Sequence, residues 1–599
     1  MNKFSVKIFY QAFIFLMIMS NVDEGFSQQK YKVEKVEIVG NENYSDRFIK
    51  KLMLTRKYNW LTRNYYRPNL FKDDLDAITN FYINEGYLEA KINRFEVKFD
   101  TLKKSVDIEI KIAEGERTRI AGISFFGNHV VSDSVLLKLI KSSLNKPFKK
   151  SVLENDTYKL LTYYADHGHI EAKVEPSLRL NQEKHEMLID FNMKEGSQIR
   201  IGEFKISGTK KTKTPVILRE LEFNKGEVYS YGKILKSQRQ LYLTGLFTSV
   251  FIRPEEKSTE FQTIRNIRID VDEKKNGELN FGVGYGTLDR MRGSVELLQN
   301  NLFGTARQAG VSAFASFITR RAELSFTEPW LFSTKTKADV NGFVEKREEP
   351  GYDLQRYGGR FILGRRFGKY TNLNLAYRYE IVKLSTQVSP QVLKPNEKGN
   401  TRSLTLTIIR DSRDDIVNTT RGTFSSLDIE SAGAFLKGTS TFIKFTIRQK
   451  YFYSIMKRLV IGTSITSGWM GNYGLGKEIP IQERFFTGGA TSIRGFKEKF
   501  IGPKNEFDNP VGGNVLLNIN LFELRYTFYK KLSAIAFMDL GNVWTNSSSL
   551  ENFDLRKGMG IGIRYNSPLG ILRFDYGIKL DRRQDESFGE FYFSVGQAF

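Results

Sequence analysis

The chain has 599 residues, with 91 Lys and Arg against 68 Asp and Glu for a formal charge of +23, and 0 Cys. Without cysteine, disulfide staples, thiol nucleophiles and Cys-ligated metals are excluded, and the length is too great for one soluble core. The positive balance does not argue for nucleic acid, because the basic residues are interleaved with carboxylates and no nucleic-acid motif accompanies them; a surface facing anionic headgroups or acidic polymers suits it as well.

Residues 1–28 place Lys3 and Lys7 ahead of an apolar run from Ile8 to Met19, then small residues at Gly25 and Ser27. This is the pattern of a secretory signal peptide, removed from the mature protein. No Cys follows it, which argues against an N-terminal lipid anchor. No later apolar run reaches the roughly 18 residues of a spanning helix, so a membrane-spanning form must use strands.

Between residues 31 and 273 the sequence echoes itself. Asp73 to Ile92 lines up without gaps on Asn155 to Val174: Asp74 falls on Asp156, Tyr82 on Tyr164, Gly86 on Gly168, and Glu89-Ala90-Lys91 on Glu171-Ala172-Lys173. A repeat of this length is a domain, not a solenoid turn. Each unit reads as strand, helix, helix, strand, strand. The first strand stops at Gly40-Asn41 or Gly127-Asn128, the first helix is led by Asp46 or Asp133, and the second helix carries Leu75, Ile78 and Tyr82 or Tyr158, Leu161 and Tyr164 at helical spacing. A third, fainter unit starts near Ile201. The expected α+β modules are 31–116, 117–198 and 199–273, and the open edges of such narrow sheets are suited to guest strands.

From 277 to 599 the period changes to two. Leu279, Phe281, Val283 and Tyr285 alternate with Asn280, Gly282, Gly284 and Gly286; Phe591, Phe593, Val595 and Phe599 share one parity at the chain's end. The second parity elsewhere holds Arg378 and Glu380, or Arg573 and Asp575, which require a wet lumen rather than a second apolar layer. At about 20 residues per strand and turn, the segment yields about 16 strands. The expectation is a transmembrane antiparallel β-barrel, with a large extracellular all-strand protein as the competing reading.

Three barrel motifs carry a family resemblance: FTEPWLF (Phe326 to Phe332), RDSRDD with RGTF (Arg410 to Asp415, Arg421 to Phe424), and ERFFTGGATSIRGF (Glu483 to Phe496). With the modules and the terminal aromatic Phe599, the chain resembles the outer-membrane β-barrel assembly family, BamA/TamA-like proteins that place POTRA modules ahead of a 16-stranded barrel. The resemblance implies that Arg494, Gly495 and Phe496 tip a loop folded into the lumen, and that Glu523 and Asp539 lock Arg494 there. The phase around Glu523 is irregular, since Phe522, Leu524 and Tyr526 form the lipid-facing set; a bulge near Leu521 or a shorter strand would restore it. The RDSRDD run is expected in a lumenal ion-pair network.

The resemblance also implies a function: folding and inserting β-barrel proteins in the outer membrane, with the modules in the periplasm receiving unfolded clients or periplasmic or membrane-anchored partners. The alternative is a two-partner secretion transporter of the TpsB kind. A lateral seam is expected where the glycine-rich first strand (Leu279, Phe281, Val283, Tyr285) meets the last (Phe591, Phe593, Val595, Phe599), because interior glycines weaken a strand. No catalytic residue, cofactor or metal site is expected; His167 and His169 flank Gly168 at a helix-to-strand turn without further ligands.

Overall fold

Repetition in the first half becomes three copies of one three-stranded sheet. In the computed structural model, residues 30–59, 64–256, 262–386, 398–473, 478–529, 531–551, 553–567 and 570–595 are described. The signal-peptide reading of 1–28 and the terminal Phe599 lie outside them. The first module comprises β1 (Lys32–Val39), α1 (Asp46–Leu52), α2 (Pro68–Asn84), β2 (Lys91–Asp100) and β3 (Ser105–Ala113). The second repeats it with β4 (Arg119–Phe126), α3 (Asp133–Leu139), α4 (Lys150–Asp166), β5 (Lys173–Asn181) and β6 (Glu186–Lys194). The third has β7 (Arg200–Ser207), α5 (Thr214–Leu218), α6 (Tyr231–Leu243), β8 (Phe247–Pro254) and β9 (Ile264–Glu273). In each sheet the last strand is central, and the strand just before it forms one edge.

Two carboxylates explain why the repeat keeps its polar letters inside a core. Asp74 is buried and accepts from the backbone amides of Leu54 (2.5 Å) and Thr55 (2.8 Å); Asp156 does the same for Lys141 (2.7 Å) and Ser142 (2.8 Å). These amides follow the C-terminus of the short first helix, where the chain turns back and no helical carbonyl accepts them. In the third module Ser237, at the same place in its helix, accepts from Glu222 N at 2.8 Å. The glutamate of each Glu-Gly pair holds the other end: Glu114 accepts from Asn43 N and from the Tyr82 hydroxyl at 2.7 Å, Glu195 from Val130 N and from the Tyr164 hydroxyl at 2.9 Å. Burial and that carboxylate push both tyrosines well above their ordinary pKa. One expected core position fails: Tyr158 is 60% exposed, and Leu153, Leu160 and Tyr164 fill the core of the second module instead. Spacing alone offered two overlapping stripes on that helix, and the sheet selected the one containing Asp156.

Gly86 and Gly168 end the long helices at φ +102° and +91°, and a Cβ at Gly86 would lie 2.5 Å from the Phe148 carbonyl of the next module. Besides stopping the helix, Gly86 lets the next module approach closely. Glu85 then pairs with Arg117 (3.3 Å) and Lys149 (2.7 Å) across that junction.

The second half is a closed antiparallel barrel of sixteen strands in chain order. They are β10 (Gly277–Gly286), β11 (Arg290–Leu302), β12 (Arg307–Ser316), β13 (Thr319–Glu328), β14 (Thr336–Glu349), β15 (Tyr352–Phe367), β16 (Thr371–Thr386), β17 (Lys398–Asp411), β18 (Gly422–Ala432), β19 (Phe442–Met456), β20 (Leu459–Gly471), β21 (Val515–Tyr529), β22 (Leu532–Trp544), β23 (Arg556–Ser567), β24 (Gly570–Lys579) and β25 (Gly589–Val595). The two parities separate as the alternation requires: Phe281, Val283, Leu324 and Ile561 are exposed on the outer wall, while Glu380, Asp539 and Asp575 are buried within. Closure satisfies the backbone that an open sheet would leave bare in lipid.

Candidate lumenal site and barrel seam

The loop joining β20 to β21 turns inward, and its tip is held by carboxylates of the barrel wall. Arg494, 4% exposed, donates through Nε and Nη2 to the two oxygens of Asp539 at 2.7 and 3.0 Å, and through Nη1 to Glu523 at 2.8 Å. Its backbone amide adds a third bond to Asp539 at 3.1 Å. The bidentate fork fixes the guanidinium plane as well as its position, and the Phe537 ring lies 3.4 Å from it. Asp539 also accepts from Asn520 at 2.6 Å. The structure thus brings Arg494, Glu523 and Asp539 together.

Glu523 reaches the lumen through a register shift in β21. Gly462 faces Glu523 but Ser464 faces Asn520, and across the other edge Asn520 faces Asp539 while Phe522 faces Met538. One extra residue at Leu521 flips the parity, so Asn520 and Glu523 both point inward while Leu521 and Tyr526 stay outside. The irregular phase is therefore a bulge, not a shorter strand.

Gly495 and Phe496 rest on bare backbone. Gly495 has φ +105°, and a Cβ there would lie 2.9 Å from the Ile578 carbonyl; Gly577 and Gly558, beneath it in β24 and β23, would meet the tip at 2.5 and 1.8 Å if they carried side chains. Phe496 is buried, with the Arg556 guanidinium 4.6 Å from its ring. The Tyr592 hydroxyl accepts from Gly495 N at 2.9 Å and donates to the Phe496 carbonyl at 2.6 Å, tying the tip to β25. The sequence reading passed over Tyr592, although it stands on the inward parity between Phe591 and Phe593.

A second anchor also escaped sequence reasoning. Glu483, at the loop's start, accepts from Arg378 on β16 at 3.2 Å through both oxygens; Arg378 also donates to Glu430 at 2.6 Å and Glu380 at 3.1 Å. Lys444 donates to the Glu483 carbonyl at 2.7 Å. The inward parity of Arg378 was visible, but its partner lies 105 residues away in an irregular loop.

The barrel closes where β10 meets β25. Tyr285↔Val595 and Gly286↔Ser594 pair across this seam, and β10 pairs on its other side with β11 from Gly277 to Gly286. Thr287 adds a bond from its amide to the Phe593 carbonyl at 3.0 Å and accepts from Phe593 N at 2.8 Å. Leu279, Phe281, Val283, Tyr285 and Phe591 face outward along this line, and the Tyr285 and Phe593 rings lie 5.7 Å apart across it.

The charged run from Arg410 to Asp415 builds a turn rather than a lumenal network. Arg413 folds back on Asp411 at 2.7 Å, Asp414 accepts from the amides of Thr420 and Arg421, and Asp415 from those of Val417 and Asn418. The polar letters meet within the turn and on the adjoining β18, where Ser412 bonds Thr423 and Arg413 lies over the Phe424 ring, while the Thr419 carbonyl reaches β21, accepting from Arg525. His167 lies against the Tyr163 ring at 4.2 Å, and His169 is buried with Nδ1 3.1 Å from the Gly196 carbonyl. Both have structural surroundings.

A family model described as the Omp85 superfamily domain matches residues 301–599, and a POTRA model, described as surface antigen variable number repeat, matches 31–115, 118–196 and 199–274. The chain is 27% identical to the outer membrane protein assembly factor BamA of Nitratidesulfovibrio vulgaris, covering 97% of this chain and 75% of that protein. It is 25% identical to the protein of the same name in Neisseria meningitidis serogroup B, over 96% of this chain and 79% of the relative. The solved structure of BamA from Haemophilus ducreyi lacking POTRA domains 1–3 shares the fold, with TM-score 0.67 and 21% identity over 81% of this chain and 99% of that one.

Proposed function

Because the chain belongs to the outer-membrane β-barrel assembly family, with POTRA repeats ahead of an Omp85 barrel, we propose that it folds and inserts β-barrel proteins into the outer membrane, its modules standing in the periplasm. The observation that carries this reading is the seam: the barrel is closed at Tyr285 and Val595 by a first strand with Gly282, Gly284 and Gly286 in alternation, and interior glycines weaken the strand that holds this edge. An opened β10 presents unpaired N–H and C=O groups to the terminal strand of a client, which exchanges water for ladder hydrogen bonds as it adds. Arg494 and its carboxylates keep the loop in the lumen while the seam works. The open edges β2 and β5 suit extended segments of unfolded clients or of periplasmic or membrane-anchored partners. Drive comes from the client's own folding and burial in lipid, and no chemical step is required.

The test uses Tyr285→Cys with Val595→Cys, directly opposed across the seam in a chain that has 0 other Cys. Oxidised, the pair should block insertion of an unfolded barrel client into proteoliposomes, and reduction should restore it. Undiminished insertion with the bridge intact would remove the seam from the mechanism. Depletion in cells separates the roles within the family: loss of most outer-membrane barrels with cell death marks a central insertase, and loss of a few clients an accessory one.

A further inference from the structure

The ladder register places a row of cations on the outer wall. On β13 to β16, Arg320 stands directly opposite Lys346, Lys346 opposite Gln355, and Gln355 opposite Lys383. All four are exposed, and they continue the outward parity of Ala322, Val344, Tyr357 and Ile381. Like charges facing each other across strands are destabilising, and among the described residues none of the three cations makes an ion pair. Such a row is compensated by an anion supplied from outside the chain.

Its height says which anion. The opposite end of β13, at Glu328, leads into the turn around Trp330 and Lys335, which meets the module segment Lys205–Glu222. The row therefore lies at the rim away from that segment, one outward position beyond the apolar band. Glu348 opposite Asp353 comes one position further out, so the cations are the first charges met on leaving the hydrocarbon. At the same end of β19 to β21 the outward positions are Phe445 opposite Trp469 and Trp469 opposite Val515, so the row of facing cations does not continue on those strands. We propose that Arg320, Lys346 and Lys383 form a headgroup shelf that binds the phosphates of an anionic lipid in the outer leaflet, with Gln355 donating between them. The inference rests on the barrel lying in the outer membrane, not on its insertion activity.

Lipid retention measured by native mass spectrometry on the full chain tests it. The purified protein is loaded with diphosphorylated lipid A or with zwitterionic phosphatidylcholine, and compared with the triple variant R320Q, K346Q, K383Q. At about a fivefold preference per cation at an anionic surface, the wild-type chain should hold lipid A about a hundredfold better than the triple variant, with phosphatidylcholine retention unchanged. The control Lys557→Gln, an exposed cation at the same end whose opposed residue on β22 is Leu540, should behave as wild type. Equal lipid A retention by wild type and triple variant, or equal loss of both lipids, would overturn the shelf. Client insertion by the variant is scored separately, so failure of the assembly reading leaves this outcome legible.

Discussion

At the residue scale, Arg494 and Tyr592 show how differently two side chains of one site are exposed to sequence reasoning. Arg494 sits in a motif and its carboxylates were named by resemblance, but Phe537 beneath it and Tyr592 beside it belong to ordinary alternating strands. What marks Tyr592 is a polar ring on the inward parity of an aromatic strand, a signal that acquires meaning only once the loop is known to lie there. Arg494→Lys keeps the charge and forfeits the fork, so it should loosen the loop nearly as much as Arg494→Ala, read as protease accessibility of the loop after Glu483. Tyr592→Phe removes two buried bonds and keeps the ring. It should raise the frequency of spontaneous conductance openings by about tenfold, from roughly 1 kcal/mol per bond partly offset by water, while the outward Tyr576→Phe on β24 leaves them unchanged.

Elements were legible wherever one period ruled them, and obscure where two rules met. The alternation in β10 and β25 and the repeat of Asp74 on Asp156 were plain in the sequence, since both follow from local geometry. The β21 bulge could be suspected but not chosen over a shorter strand, because only its neighbours' registers decide. The turn after β17 misled because its charges had a local solution at a smaller entropic cost than a long-range one. For the repeat, Asp156→Ala strands two buried amides between α3 and α4. Exchange of the Lys141 and Ser142 amides should rise by about ten- to a hundredfold, matching the roughly 1–3 kcal/mol lost when a buried donor goes unsatisfied. Exchange in the first module should not change, and Asp74→Ala should produce the mirror result.

At the scale of the whole molecule, the early-barrel motif finds its meaning in a contact that no single segment announces. The segment Lys205–Glu222 forms one compact unit with the barrel. Asn301 donates to Thr212 at 2.8 Å, the Arg219 guanidinium lies 5.5 Å from the Trp330 ring, and Glu222 accepts from Lys335 at 2.8 Å and Gln240 at 2.5 Å. FTEPWLF therefore supplies Trp330 as a platform for that segment, with lysine following. The hydrogen bonds from Lys335 and Gln240 hold the Glu222 carboxyl down to about 2, from an ordinary 4.5. A carboxylate held below its unfolded value stabilises at every pH above that value and loses the contribution as pH falls through the folded one. Attachment of this segment should therefore be insensitive to Glu222 between pH 7 and pH 5, weaken from about 4.5, and be lost near 2. Because intrinsic exchange also varies with pH, the measurement is the difference in hydrogen exchange between wild type and Glu222→Gln at matched pH. That difference over the Trp330 to Lys335 turn should be constant above pH 5 and shrink to nothing on acidification. A difference that persists at pH 2, or is absent at pH 7, would show that the carboxylate does not hold the segment to the barrel.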